Sequence, residues 1–352
     1  MPRSRALPAV ALLLIGVLVA SACGSDNATK ADAATSKQQR GTTAVTDVAR
    51  DIPAGASLRV GDQLDYLKTA LATGLQDKSY GFKLKYASFV GGPAMLQAFK
   101  ADAVDIGYVA DTPLIFAQAA HQDVVAIAAW APEHGSLELI ATPGSHIGSW
   151  GDLKGKKVAY QQGTVLEAVV LQGLQKAGLT LHDIKTVNLP VTQITAALQS
   201  GSVDAAVLAP PLDGAYLTKT PDAKIVDRPD DITDRVTFII ASKKAIADPA
   251  KAPAIRDYVQ RLVHAFGWLN DHPREAAQAV WVKQYNLPLQ AGLKNIEQRG
   301  KTTFLPLPGD LVAPQQKLAD LYLDAGDIPE KIDVSTSFDG RLNQAVREAQ
   351  AK

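Results

Sequence analysis

The chain has one cysteine in 352 residues, with only two methionines, four tryptophans and six histidines. One cysteine excludes an internal disulfide framework and any cysteine-based metal centre, because both need several thiols. The histidines stand singly, no H-E-x-x-H occurs, and His121, His182 and His264 read as surface or helix-end residues, so neither a metal nor a cofactor is expected. Charge of one sign is also missing. Lys+Arg and Asp+Glu number 36 each, and no basic cluster offers a nucleic acid a surface. The nucleophile elbow is absent, since "GSHIG" at 144–148 lacks its spacing, and "GDLKGKK" is too short between its glycines for a phosphate-cradling loop. Together these absences argue against an enzyme.

What is present is an ordinary core-bearing composition, 47% hydrophobic and 20% charged, over a length that fits one large domain or two medium ones. The first 22 residues carry Arg3 and Arg5, then an apolar run from Ala9 to Ala20, then small residues, the order of an export signal too short for a membrane span. Cys23 follows Ala20-Ser21-Ala22 directly, as in a lipobox, so it is expected to be acylated and to become the first mature residue. Residues 24–50 contain no Leu, Ile, Phe, Trp or Tyr and cannot bury enough surface to offset their ordering entropy. Residues 23–55 are therefore expected to form a lipidated, flexible tether holding the fold outside the cytoplasmic membrane.

From residue 57 short apolar runs alternate with helical patterns. Strands are expected at 57–60, 83–89, 104–109, 124–129, 137–142, 157–161, 184–189 and 204–209, with helix-like stretches such as "GPAMLQAFKA" and "TVLEAVVLQGLQKAG" between them. This alternation gives an α/β fold with mainly parallel sheets. The segments "MLQAFKADAVDIGYV" and "AALQSGSVDAAVL" echo one another, each reading helix, turn, Val-Asp, strand. Two lobes follow: a first from 56–141 and 242–352, and a second, inserted, from 142–241.

The strand-to-helix junctions are rich in small, hydroxyl and amide residues. Gln63 follows the first strand; Gly91, Gly92 and Pro93 follow the second; Asp111, Thr112 and Pro113 follow the third; Gln161, Gly163 and Thr164 follow the first strand of the inserted segment. Any one of these is simply a good helix start. Four in register, in an exported two-lobed chain, favour a cleft in which backbone N–H groups hold an anion.

With "VGGPAMLQAFKADAVDIGYVADTPLIFAQAA", "DLKGKKVAYQQGT" and "GSVDAAVL", the chain resembles the substrate-binding lipoproteins of bacterial ABC importers, nearest the alkanesulfonate/nitrate/taurine branch and its aliphatic sulfonate binders. The resemblance implies a type II periplasmic-binding fold that closes on its ligand without chemistry. It implies a small organic anion as ligand, a permease and an ATPase as partners, and a monomer on the outer face of the cytoplasmic membrane. It places the anion near Gln63, Gly91, Gly92, Pro93, Asp111 and Thr112 of the first lobe and Gln161, Gly163 and Thr164 of the second. A carboxylate beside an anion would repel it, so the Asp111 side chain is expected to turn away and cap locally, leaving its backbone and Thr112 to face the ligand. Where such proteins commonly carry a Trp-Asp-Pro-Tyr-like stretch, this chain has Ala209-Pro210-Pro211-Leu212, which implies a wider pocket, compatible with an alkane or a bulkier aryl sulfonate and equally with a different anion. Other anions or precursors (nitrate, taurine, a pyrimidine) and a fold-related cofactor-biosynthesis enzyme stand as alternatives. The thioether to lipid needs sulfur, so Cys23→Ser should move the protein from the membrane to the soluble fraction; a variant that stays with the membrane would contradict the anchor.

Overall fold

In a computed structural model of the chain, residues 47–75, 79–229 and 235–352 are described, and they belong to a compact unit spanning Val45–Lys352. The expected signal, Cys23 and the tether up to residue 46 lie outside the described residues. The tether ends earlier than expected. Val48 is only 8% exposed and Ile52 packs on the core, while Asp47 sits 3.8 Å from Arg256 and Arg50 pairs with Glu348. Two apolar side chains and two ion pairs dock the segment.

The chain begins with β1 (Ser57–Gln63), α1 (Tyr66–Gly74), β2 (Lys83–Phe89), α2 (Gly92–Lys100), β3 (Ile106–Ala110), α3 (Asp111–Ala119) and β4 (Val124–Pro132). It crosses to β5 (Glu138–Ala141), β6 (Lys157–Tyr160), α4 (Val165–Lys176), β7 (Lys185–Asn188), α5 (Val191–Gln199), β8 (Ala205–Leu208), α6 (Leu212–Lys219) and β9 (Lys224–Asp227). It returns through β10 (Thr237–Ser242), α7 (Lys243–Ala247), α8 (Ala252–Asp271), α9 (Pro273–Ala276), α10 (Leu289–Arg299), β11 (Thr302–Leu305), α11 (Val312–Asp324) and α12 (Asn343–Gln350). Two sheets result, in the orders β11-β4-β10-β3-β1-β2 and β7-β6-β8-β5-β9.

The two crossings differ from expectation. β5 was expected in the first lobe and β10 in the second, but β5 pairs antiparallel with β8 and β9, and β10 pairs antiparallel with β3 and β4. The chain therefore changes sheet after β4 and again after β9, some residues before each expected boundary. Both strands are almost wholly buried apolar runs, which suit either sheet equally, so hydrophobicity alone does not assign them.

Parallel pairing of β1 with β2 from Ser57↔Lys83 to Gln63↔Phe89, and of β1 with β3 at Val60↔Ile106, brings the carboxyl ends of three strands side by side. β6 likewise runs parallel to β7 and β8. Each sheet has its own core, and a further buried cluster containing Ile115, Ala168, Leu171, Leu318, Tyr322 and Ile328 joins α3 of the first lobe to α4 of the second through α11.

Glycine decides the closeness of one contact in the second lobe. A Cβ on Gly173 in α4 would meet three ring atoms of Trp150 at 2.4–2.5 Å, and the ring is pinned because its Nε1 donates to Asp227 Oδ2 at 2.6 Å. Gly267 in α8 has nothing within 4 Å of the same point. Alanine in a helix is worth about 0.5–1 kcal/mol over glycine, whereas overpacking a core costs about 1–3 kcal/mol. Gly267→Ala should therefore raise stability and Gly173→Ala lower it by about 1–2 kcal/mol in denaturant unfolding; equal effects of the two would contradict the packing.

Candidate functional site

The first amides of a helix have no partner within it, so each helix start that reaches the seam between the sheets must find acceptors there. At α1 the fully buried Asp62 supplies them, accepting from Gln63 N, Leu67 N and Lys68 N at 2.8–3.0 Å. Burial pushes its pKa up and the three donors pull it back. At α3 the Asp111 carboxylate accepts from Thr112 N at 2.6 Å and from the Thr112 hydroxyl at 3.2 Å. The Asp111 side chain thus turns to the amide and hydroxyl of its own neighbour, whereas a local cap was expected: the start of α3 is Ala110 and no side chain caps it. The Thr112 hydroxyl was expected to face a ligand; it is fully buried and lies 3.2 Å from Tyr322 OH of α11.

The second lobe repeats the pattern. At α4, Gly163 N donates to Glu167 Oε2 at 2.8 Å, and Thr164 Oγ1 accepts from Leu166 N and donates to Gln161 O. Glu167 is 1% exposed; burial, aided by the charge of Asp327 and opposed by the Gly163 donor, pushes its pKa up to about 8. At α6 burial raises Asp213 to about 7 against the N–H of Gly214.

The starts of α2 and α5 differ. Gly91, left-handed at φ +83°, donates its N–H to the neutral Gln63 Oε1 at 3.2 Å, while Gln63 Nε2 donates to Tyr108 O. No side chain caps α2, whose first turn holds Pro93; Gly92 abuts Pro113 so closely that a Cβ would stand 2.1 Å from its Cγ. At α5, Val191 N donates to the neutral Gln161 Oε1 at 2.8 Å.

These two starts meet across the seam. A Cβ on Gly91 would lie 3.6 Å from Gln161 Oε1, and one on Gly163 would lie 3.7 Å from Pro93 Cγ. Tyr322 OH also reaches Thr164 O at 3.4 Å, and Gln162 Nε2 donates to Asp327 Oδ1 at 2.7 Å. Gly91, Pro93, Gln161 and Gly163 are thereby brought together, with Gln63 one hydrogen bond behind; Asp111, Thr112 and Thr164 gather instead around Tyr322. Beside the first group opens a groove of about 650 Å³, bordered by Pro93 and Phe116 from one lobe and Gln161, Gly163 and Pro190 from the other, with no charged side chain in its lining. Tyr322, Glu167 and Asp62 were missed from sequence. The only available signal was position: a carboxylate just before a helix, or three residues into one, is a capping residue as readily as a ligand group. Among the described residues no group of three or more His, Cys, Asp or Glu could hold a metal ion, and no helix is long and apolar enough to cross a membrane.

The model of a family described as NMT1/THI5 like matches residues 78–276. A relative from Escherichia coli (strain K12), named as an aliphatic sulfonates-binding protein, is 30% identical over 284 residues, 79% of this chain and 87% of its own. The solved alkanesulfonate-binding protein SsuA from Xanthomonas axonopodis pv. citri, bound to MOPS, superposes with a TM-score of 0.73 at 26% identity over 82% of this chain and 99% of that one. A Brachyspira hyodysenteriae (strain ATCC 49526 / WA1) relative named as an ABC transporter periplasmic binding protein is 25% identical over 217 residues, 57% of this chain and 61% of its own. The two-lobed α/β periplasmic-binding fold is the fold of this chain.

Glu167 gives the seam a pH signature. Its folded pKa, about 8, lies above the ordinary value of about 4.3, so the folded state holds a proton that the unfolded chain releases. Its contribution is complete below pH 4 and is lost as pH rises to about 8. Glu167→Gln keeps an acceptor for Gly163 N without titrating. The variant should therefore gain stability relative to the parent as pH rises from 5 to 8 in thermal unfolding; parallel curves would contradict the assignment.

Proposed function

The chain belongs to the NMT1/THI5-like family, and on that premise we propose that it is the extracytoplasmic binding component of an ABC importer, capturing a small organic anion, first of all a sulfonate, and handing it to a permease driven by an ATPase. Its relatives are binding proteins named for sulfonates or for ABC transport, which supports a binder over an enzyme. Cys23 would anchor the protein to the outer face of the membrane through lipid, and the protein would work as a monomer.

The observation that carries this reading is the division among helix starts. Four of them, α1, α3, α4 and α6, are supplied with the protein's own buried carboxylates, Asp62, Asp111, Glu167 and Asp213. The starts of α2 and α5 carry only neutral amide oxygens, and they meet at the seam beside a groove without charged side chains. An anion is attracted by the positive helix ends and by N–H donors without needing a counter-cation. The sulfonate's seat in this reading is the Gly91-Gly92-Pro93 turn, faced by Gln161 and Gly163. The groove beside this seat is lined by no charged side chain, so a second negative charge would lose its water without a counter-cation to replace it.

Gln161→Glu tests the seat, because it keeps an acceptor for Val191 N and replaces a donor with a negative charge. A hydrogen bond to a charged group is worth about 1.5–3 kcal/mol, so in calorimetry on the soluble chain from residue 24, affinity for propanesulfonate should fall by at least about tenfold. Thr112→Val should cost about 1 kcal/mol of stability and leave affinity nearly unchanged. Retained affinity in Gln161→Glu with lost affinity in Thr112→Val would move the anion to α3.

A further inference from the structure

The Glu167 carboxyl lies one hydrogen bond behind the proposed seat. It accepts from Gly163 N at 2.8 Å, and Gly163 is the residue that faces Pro93 across the seam. Both residues are buried. The amide of a residue bordering the seat is thus held by an internal carboxyl. The groups around that carboxyl are themselves acids. Asp327, just after α11, accepts from the neighbouring Gln162 Nε2 at 2.7 Å, and among the described residues its Oδ2 is buried with no partner. Asp111 at the start of α3 acts together with Glu167 and Asp327 on the Tyr322 hydroxyl of α11, and Tyr160 of β6 feels the last two. Among the described residues, the charge that acts on Glu167 is that of Asp327.

A neutral Glu167 gives Gly163 its acceptor and adds no charge. An ionised Glu167 puts a negative charge one residue away from a bound anion, where buried surroundings screen the pair less than water does. A bound anion therefore favours the proton on Glu167, and the proton favours the anion by the same factor. We propose that capture of the organic anion is coupled to protonation of Glu167, the seam taking up its ligand together with a proton from solvent. Glu167 does not touch the ligand. It acts through Gly163, and it makes capture weaker in alkaline surroundings than in neutral ones. Burial holds the free protein's Glu167 up at about 8, so near that pH both forms are present and the coupling is measurable. The inference rests on the anion seat at Gly91, Gln161 and Gly163.

Propanesulfonate is the probe, because its own charge does not change between pH 6 and pH 9. Calorimetry at pH 8 in Tris and in phosphate, two buffers without a sulfonate group that differ in heat of ionisation, should show the soluble chain from residue 24 taking up part of a proton per ligand bound. Affinity should fall about five- to tenfold from pH 6 to pH 9, an ordinary size for such a coupling, while Glu167→Gln takes up no proton and varies by less than about twofold. Asp327→Asn keeps an acceptor for Gln162 and removes a charge that holds the proton on Glu167, so there the fall should begin at lower pH. Binding by the parent protein with no proton uptake and a flat affinity profile would overturn the coupling and leave the anion seat standing. Uptake that persists in Glu167→Gln would also overturn it, by assigning the proton to another carboxyl such as Asp213, which burial raises to about 7. If propanesulfonate does not bind at pH 6, the anion seat fails and the coupling fails with it.

Discussion

The unpaired amides at the start of each helix are the constraint around which the seam is built. A parallel sheet sends those amides toward the carboxyl ends of its strands, and in a two-lobed protein that edge faces the other lobe. Buried amides must be satisfied. This chain does so in two ways, with carboxylates at α1, α3, α4 and α6 and with the neutral oxygens of Gln63 and Gln161 at α2 and α5. The first choice closes a helix end to any other anion. The second leaves its positive end uncompensated, which is the property a binding site for an anion needs.

The same choice shapes the join between the lobes. Glu167 from the second lobe and Asp327 from the first are both held above their ordinary pKa values, chiefly by burial. Tyr322, with Thr112 on one side and the Thr164 carbonyl on the other, spans the lobes with one hydroxyl. Beneath it, Ile115, Ala168, Leu171 and Leu318 form an apolar contact between α3, α4 and α11. The lobes therefore meet through an apolar cluster on one flank and through amides and glycines at Gly91 and Gln161.

Much of this was legible in the sequence because it rests on local chemistry. Alternating short apolar runs gave β1 to β8, and Gly-Gly-Pro, Asp-Thr-Pro and Gln-Gln-Gly-Thr marked the junctions that the structure brings to one seam. β9, β10 and β11 were not among the expected strands, and because β5, β10 and β11 pair antiparallel the sheets are mixed rather than mainly parallel. The local fate of the Asp111 carboxylate followed from repulsion alone. What could not be read was partnership over long distance. Tyr322 lies 210 residues from Thr112, and nothing in "LADLYLDAG" sets it apart from a core tyrosine. The crossing points were misplaced because β5 and β10 are buried on both faces, leaving no polar face to show which sheet each joins. Val48 was overlooked, with Asp47 and Arg50 beside it, because the polar composition of the segment hid its docking residues.

The central claim is that neutral donors at the starts of α2 and α5, beside a groove with no charged side chain to compensate a second charge, hold an anion with one negative charge. Calorimetric titration of the soluble chain, from residue 24 onward, with methanesulfonate and with sulfate at the same pH and ionic strength tests this directly, since the two ions differ chiefly in charge. The account predicts a saturable heat for methanesulfonate and none for sulfate at matched concentrations. Equal binding of the two, or binding of sulfate alone, would contradict it.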